Sequence, residues 1–499
     1  MSAQIETARI RSGGTIEFNV DKRMEGGMKH VYFTHDRSGV VAFFHDKHQE
    51  YQRTARLSRV VNEFNPTRDG QANSAYWRDL FCWPTHIIEH DAFGIGVHLP
   101  AYPSCFFFQQ GALKGEEKDG GWFNCVDRKT NRVMRYSKVH ETERGNLQTY
   151  VAAFVRVARA VERMHNAGLA HADLSERNVL IDPSSGRSII IDVDSLVVTG
   201  LYPPDVLGTP GYIAPEVMAT KHLALDDPKR KHPCADTDKY ALAVMIYKYL
   251  LERHPLEGGR VLKGLTAEQE EEATNGAKAI YSEHRTDGAN RPKSAKYLRA
   301  AILGKKIDDM FHKTFVDGLQ STTVRPTPGS WVTALCEAFD MMLACPSASC
   351  SHKLFVLTEP KAPVCPYCGT RFRGTFSVMR LTHADKGFMR NEGEVVLNGF
   401  RGGTGTVLYK FHTHRGGFRG PGQDNTPLAQ AVFLDKPAPT VYLQNLALPG
   451  MKVRNQKAGQ IGFQSVPLNA KVQLSTGLEV QFGPEPESRL GAVEAFHIP

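Results

Sequence analysis

The segment that most constrains this chain is a short polar run set between two strongly apolar stretches. Upstream, Leu147, Val151, Phe154, Ala158 and Val161 recur at three- and four-residue spacing, the core stripe of an amphipathic helix. The pattern stops at Asn166-Ala-Gly168, where glycine supplies a common helix C-terminus. His171-Ala-Asp-Leu-Ser-Glu-Arg-Asn178 follows, then Val179-Leu-Ile181, a turn at Asp182-Pro-Ser-Ser-Gly186, and Ser188-Ile-Ile-Ile-Asp192. Two apolar runs across a tight polar turn predict a hairpin, with Asn178 entering it and Asp192 leaving it. A second helix, over Lys239–Arg253, is apolar nearly all round and is expected to be buried.

Composition narrows the class. With 499 residues, 41% hydrophobic and 23% charged, the chain is long enough for several cores and is neither disordered nor fibrous. No apolar run approaches the ~18 residues of a membrane helix, and Met1–Val20 lacks a signal-peptide centre. Nine cysteines are too few for a disulfide scaffold of this size, so a cytoplasmic protein without membrane contact is expected. The net charge of +8 is too mild to call for nucleic acid as a partner.

His171–Asn178 resembles the protein kinase catalytic loop, in which Asp follows His by two positions and Asn follows that Asp by five. Gly208-Thr-Pro-Gly-Tyr-Ile-Ala-Pro-Glu216 is similar to the same family's Gly-Thr-Pro-x-Tyr-x-Ala-Pro-Glu segment, and Asp238 and Arg325 follow in the expected order. Phosphoryl transfer needs Mg²⁺ to neutralise phosphate charge, and an amide oxygen with a carboxylate from two ends of one hairpin serves that need. Asn178 and Asp192 fit those roles, with Asp194 the alternative carboxylate; Asp173 would orient the acceptor hydroxyl. The resemblance further implies that Asp238 anchors the catalytic-loop backbone, that Glu216 pairs with Arg325, and that Thr209 bonds the catalytic carboxylate. Ala172 replaces the Arg that usually precedes that Asp, so dependence on activation-loop phosphorylation is not expected. Ser175 replaces the lysine typical of serine/threonine kinases.

The N-terminal part departs from the family. Its glycine-rich loop is Met24-Glu-Gly-Gly-Met-Lys-His-Val31, and Val40-Val-Ala-Phe-Phe44 puts Phe44 where the phosphate-binding lysine belongs. The With-No-Lysine kinases resemble this arrangement and supply the ammonium from the glycine-rich loop, which points to Lys29, with Lys47 the alternative. Gly26, Gly27, Val31 and Ala42 would line the nucleotide, and Glu63, or else Glu50, would pair with the lysine.

Cys345-x4-Cys350-x14-Cys365-Pro-Tyr-Cys368-Gly has zinc-ribbon spacing; four thiolates close a tetrahedral shell, so a structural Zn²⁺ is expected, with His352 an alternative ligand. Beyond it, short apolar runs between Gly, Pro and Asn predict a β-rich domain, and Val441 to Gly483 weakly resembles the end of a forkhead-associated β-sandwich.

The expected fold is α+β: a bilobal protein-kinase-like domain over 15–343 (N-lobe 15–100, C-lobe 104–343), a zinc ribbon over 344–375 and a β-rich partner-binding domain over 376–499. Lys114–Asn146 and Leu265–Pro292 read as surface insertions. Together with Phe81-Cys-Trp-Pro84, these features are similar to bacterial kinases of tellurite-resistance and stress operons. That resemblance implies ATP and Mg²⁺ as cofactors and protein substrates encoded in the same operon. The alternatives are a pseudokinase scaffold, supported by the missing strand lysine, and a small-molecule phosphotransferase, which Gly208–Glu216 and Arg325 argue against.

Overall fold

The structure, a computed structural model, describes residues 4–499 except 22, 26–28, 46–50, 69–72, 128, 130–131, 194–195, 199–207, 263, 295–296, 386–387, 400–404, 417–419, 422–423, 435–438 and 485. The N-terminal lobe is an antiparallel sheet of β1 (Ile5–Ile10), β2 (Thr15–Asn19), β3 (Met24–Glu25), β4 (Lys29–Phe33), β5 (Gly39–Phe44), β6 (His86–His90) and β7 (Gly94–Pro100). The strand order is β2-β1-β6-β7-β5-β4-β3. The lobe therefore begins ahead of residue 15: β1 pairs with both β2 and β6 and is integral to the sheet.

Strand alternation divides β5 between two faces. Val41 and Phe43 join Ala8, Phe18 and Tyr32 on one side. Ala42 and Phe44 join Leu57 and Val61 of α1 (Tyr51–Asn62) on the other. Phe44 is thus a core residue, 2% exposed, where a lysine was to be sought.

The second lobe is built around α2 (Leu147–Asn166), which starts at a capping box formed by Asn146 and Thr149. It ends as the pattern predicts, with Gly168 at φ +81°. Its polar side holds two buried arginines: Arg156 donates to the Asp79 carboxylate at 2.6 Å and Arg159 to the Tyr76 hydroxyl at 3.2 Å, tying the helix to the N-terminal lobe. The hairpin β8 (Val179–Asp182) and β9 (Arg187–Ile190) follows, then α3 (Pro215–Thr220), the buried α4 (Ala235–Leu251) and α5 (Pro328–Asp340), which packs along α2.

The segment Lys114–Asn146 is not a surface insertion. Phe123, Asn124, Arg135 and Val139 are buried in it, and the Lys118 ammonium lies 2.9 Å from Glu143 and 3.1 Å from Asp182 at the β8 end. The charges are paired, which is what allows so polar a sequence to go inside. The later part of Leu265–Pro292 is likewise inside, through Tyr281, Ser282 and Asn290.

After α5, the short strands β10 (Met342–Ala344) and β11 (Leu354–Val356) pair beside the cysteine cluster. The remaining strands are β12 (Gly374–Asp385), β13 (Phe388–Leu397), β14 (Val407–Leu408), β15 (Ala429–Leu434), β16 (Thr440–Asn445), β17 (Lys452–Asn455), β18 (Gln464–Ser465), β19 (Lys471–Gln473), β20 (Leu478–Gln481) and β21 (Leu490–Ile498), with a helical turn, α6 (Lys410–Thr413), after β14. They form a sheet of order β13-β12-β21-β20-β17-β18 and another of order β14-β15-β16-β19. Met379, Leu397, Ala431, Leu443 and Val480 from both sheets share one core.

Candidate active site

The catalytic loop is held by a buried carboxylate rather than by regular structure. Asp238, in the first turn of α4, accepts the main-chain N–H of His171 at 2.7 Å and of Ala172 at 3.1 Å. His165 Nε2 lies 3.0 Å from the same carboxylate, and His171 Nε2 lies 3.1 Å from the Ile191 carbonyl. These bonds hold Ala172 at φ +68°, a left-handed conformation costing on the order of 1 kcal/mol in a residue with a Cβ.

Asp173 follows. Its Oδ1 accepts the Thr209 hydroxyl at 2.7 Å, and the Asn178 amide nitrogen donates to its Oδ2 at 3.2 Å and to its carbonyl at 2.7 Å. The carboxylate is fixed in orientation, and Asn178 is turned so that its amide oxygen remains to accept or coordinate. The hairpin register pairs Val179 with Ile190, and the Ile191 N–H donates to the Asn178 carbonyl at 3.0 Å, which brings Asp192 alongside Asn178. Asp192 is also left-handed, at φ +57°. Arg325 makes a two-pronged pair with Glu216, both contacts 2.8 Å, and donates to the Gly318 carbonyl at 2.9 Å. The Thr209–Asp173 and Arg325–Glu216 pairings join motif residues that are distant in sequence.

On the N-terminal lobe, β4 and β5 pair with Lys29 directly opposite Phe44. Cross-strand Cβ atoms lie about 5 Å apart, so a lysine there reaches the space a side chain from Phe44 would occupy. The Lys29 ammonium passes 5.8 Å from the Phe44 ring and meets the Asp192 carboxylate at 2.9 Å. Lys29, Asp192, Asn178 and Asp173 thus belong to one connected site across the lobes. Val31 and Ala42 face each other two register pairs along the same ladder. Gly26, Gly27, Lys47, Glu50 and Asp194 lie outside the described residues.

Glu63 does not take the role expected for it. It lies in the turn after α1, exposed to solvent, and makes no ion pair with Lys29. The helix itself contains no acidic residue, and the side that turns inward carries Arg56, Leu57, Val60 and Val61, all nearly fully buried. Among the described residues, a carboxylate that the lysine meets is that of Asp192. A basic residue on the inward face of α1 was visible as Arg56 beside Leu57, at the same helical spacing as Val60 and Val61.

The second candidate centre is Cys345, Cys350, Cys365 and Cys368, whose sulfurs all lie within 4.8 Å of one another. Four thiols at this spacing suit the ~2.3 Å bonds of a tetrahedral Zn²⁺. The donor chemistry points the same way. Burial raises the Cys345 thiol to about 11 and pushes Cys365 up further, while the Thr370 hydroxyl and main chain bring Cys368 down to about 6. Four sulfurs this close cannot all ionise unaided, and a dication removes that conflict. His352 is turned away from the cluster: its ring stacks on Tyr367 at 3.7 Å and its Nε2 meets Glu252 at 3.3 Å. Glu252, left-handed at the end of α4, also accepts the Tyr136 hydroxyl at 2.6 Å and pairs with Arg135, so the cysteine cluster is docked onto the second lobe.

Residues 124–309 match the protein kinase domain family. Among curated relatives, the serine/threonine-protein kinase WNG2 of Toxoplasma gondii is 32% identical over 111 residues, which is 22% of this chain and 20% of the relative. The serine/threonine-protein kinase PknD of Chlamydia felis is 26% identical over 134 residues, 23% of this chain and 13% of the relative. The alignments therefore span only a small part of those relatives' own lengths. Among solved structures, ROP2 from Toxoplasma gondii, described as a virulence factor with a protein-kinase fold and no enzymatic activity, overlays with a TM-score of 0.40 at 13% identity, covering 66% of this chain and 82% of that one. Asp173, Asn178, Asp192 and Glu216 all fall within the segment that matches the protein kinase domain family.

Proposed function

We propose that this chain is an ATP-dependent serine/threonine-type protein kinase in which Lys29 replaces the strand lysine. The observation that carries the reading is the Lys29 ammonium, opposite Phe44 in register and 2.9 Å from Asp192. A cation at that point is what the phosphates of ATP require, and Asp192 with the Asn178 amide oxygen forms the donor pair for Mg²⁺. When bound, Mg·ATP supplies the phosphoryl group and neutralises its charge. The chain's own contribution is orientation: Thr209 and Asn178 hold the Asp173 carboxylate ready to accept an acceptor hydroxyl's proton. The four cysteines hold a structural Zn²⁺ with no open position for substrate. The substrates are proteins, encoded near the kinase on the operon resemblance, and the setting is cytoplasmic. No described helix is long and apolar enough to cross a membrane.

A second reading, a pseudokinase scaffold, draws on α1, which offers no acidic residue to hold Lys29 toward the phosphates. Radiolabel transfer from Mg·ATP to the chain itself and to added protein substrates separates the two. We expect Lys29→Met to lower transfer roughly 100-fold or more, and Phe44→Lys in that background to restore part of it. Full activity in Lys29→Met, or no transfer and no Mg·ATP thermal shift in the wild type, overturns the kinase reading.

A further inference from the structure

Helix α4 sends a second polar group toward the catalytic loop besides Asp238. From Tyr240 to Leu251, Lys248 is the one residue that is not buried outright, and only 16% of its side chain is exposed. Placing an ammonium on so apolar a helix costs free energy unless the charge is paired. Its Nζ lies 3.5 Å from Glu176 Oε2 and 4.7 Å from the centre of the Tyr212 ring, within cation–π reach. Glu176 is 12% exposed, so both charges are held largely out of water.

The two partners belong to the two polar segments of the candidate site. Glu176 stands three residues after Asp173 in the catalytic loop, and its carbonyl accepts the Gly120 N–H at 2.7 Å. Tyr212 stands three residues after Thr209, whose carbonyl accepts the Tyr212 N–H at 2.9 Å and whose hydroxyl donates to Asp173 at 2.7 Å. The residue before Tyr212 is gripped as well. His254, just past α4, accepts the Leu256 N–H on Nδ1 at 3.3 Å, so its proton sits on Nε2 and is donated to the Gly211 carbonyl at 2.9 Å. The end of α4 thus holds residues 211 and 212 together, and Lys248 reaches both segments at once.

We propose that Lys248 couples the catalytic loop to the Gly208–Glu216 segment and so acts as a positioning residue for phosphoryl transfer, a role that rests on the kinase reading above. The contacts run from Lys248 through Tyr212 and Thr209 to the Asp173 carboxylate. Without the ammonium, the Glu176 carboxylate keeps the Cys125 thiol at 3.9 Å, a donor too weak to replace an ion pair. A small displacement of Thr209 and Asp173 lowers the rate steeply, because the acceptor hydroxyl must meet the carboxylate in line. Lys248 contacts Glu176 and Tyr212 rather than Asn178 or Asp192, so nucleotide binding is spared.

Lys248→Met tests this, since it keeps the apolar stem and removes the charge. In radiolabel transfer, kcat should fall roughly tenfold or more while KM for ATP stays within about twofold. Lys248→Arg should recover most of the rate, because a guanidinium can both pair with Glu176 and lie on the Tyr212 ring. Hydrogen exchange gives a readout without activity: in the Met variant, residues 171–178 and 208–213 should exchange roughly tenfold faster, with α2 unchanged. If that variant fails to fold, Glu176→Gln removes the other charge and should show the same split between kcat and KM. Unchanged kcat in a folded variant, an equal loss in Lys248→Arg, or unchanged exchange in both segments overturns the proposal. Absence of transfer in the wild type overturns the kinase reading instead, and the exchange of the two segments then decides the coupling.

Discussion

The two lobes meet at the candidate site through the Lys29–Asp192 ion pair but solve different problems. In the second lobe, the reactive groups sit on a backbone held by remote side chains: Asp238 fixes the loop, and Arg325 with Glu216 fixes the segment after it. Asp238 and Arg325 are both almost fully enclosed, so the residue type at each of those positions is constrained. In the first lobe, the requirement is only that a positive charge arrive at the mouth of the hairpin. A sheet allows two neighbouring strands to deliver it, and here Phe44 is core while Lys29, across the ladder, reaches Asp192. Backbone support permits little drift, whereas delivery of a charge tolerates relocation. The family match accordingly begins at residue 124, beyond the whole N-terminal sheet.

This contrast can be broken at several points. The largest effect is expected from Asp173→Asn, which should cut phosphoryl transfer roughly 10²- to 10⁴-fold while leaving the melting curve intact. Glu63→Ala should change neither, because that carboxylate has no partner in the site; a loss comparable to Lys29→Met would reinstate the helix glutamate. Next, Arg325→Ala should destabilise the fold by about 2–4 kcal/mol in denaturant titration, since a fully enclosed side chain and its bonds to Glu216 and the Gly318 carbonyl are lost. A loss under about 1 kcal/mol would mean that the second lobe does not depend on this side chain.

Removal of zinc should come third. Strong chelators, or Cys365→Ser, should release one equivalent of metal by elemental analysis and increase proteolysis within residues 342–375, with the N-terminal lobe unaffected. Finding no metal in the purified chain would rule out the assignment. The smallest effect concerns the docking of that cluster. Burial alone would raise Glu252, but His352, Arg135 and Tyr136 outweigh it and hold the carboxyl at about 2 against an ordinary 4.5. A lowered carboxyl contributes stability that is present above its ordinary value and lost as pH falls through the folded one. Thermal stability should therefore decline between about pH 4.5 and 2, and Glu252→Gln should flatten that decline.

Much of the site was legible because its residues are near one another in sequence. The helix over Leu147–Asn166, its glycine stop and the hairpin from Val179 to Ile190 follow from local periodicity and turn chemistry. The cysteine cluster was legible for the same reason, as two short ligand spacings. What misled was polarity taken as exposure. Lys114–Asn146 reads as a solvated insertion, yet Lys118 bridges Glu143 and Asp182 inside the lobe, a pairing no local pattern announces.

The sequence by itself determined which groups are available: Asp173, Asn178 and Asp192 around one hairpin, four thiols, and a phenylalanine where a lysine was expected. Only the tertiary structure decided which of them meet. Strand register set Lys29 opposite Phe44, the approach of the two lobes brought its ammonium to Asp192, and packing of the C-terminal sheets on the second lobe enclosed Asn398. Local pattern reports backbone preference over a few residues, whereas partner choice depends on long-range register and burial, where a free charge or amide is costly enough to select its neighbour.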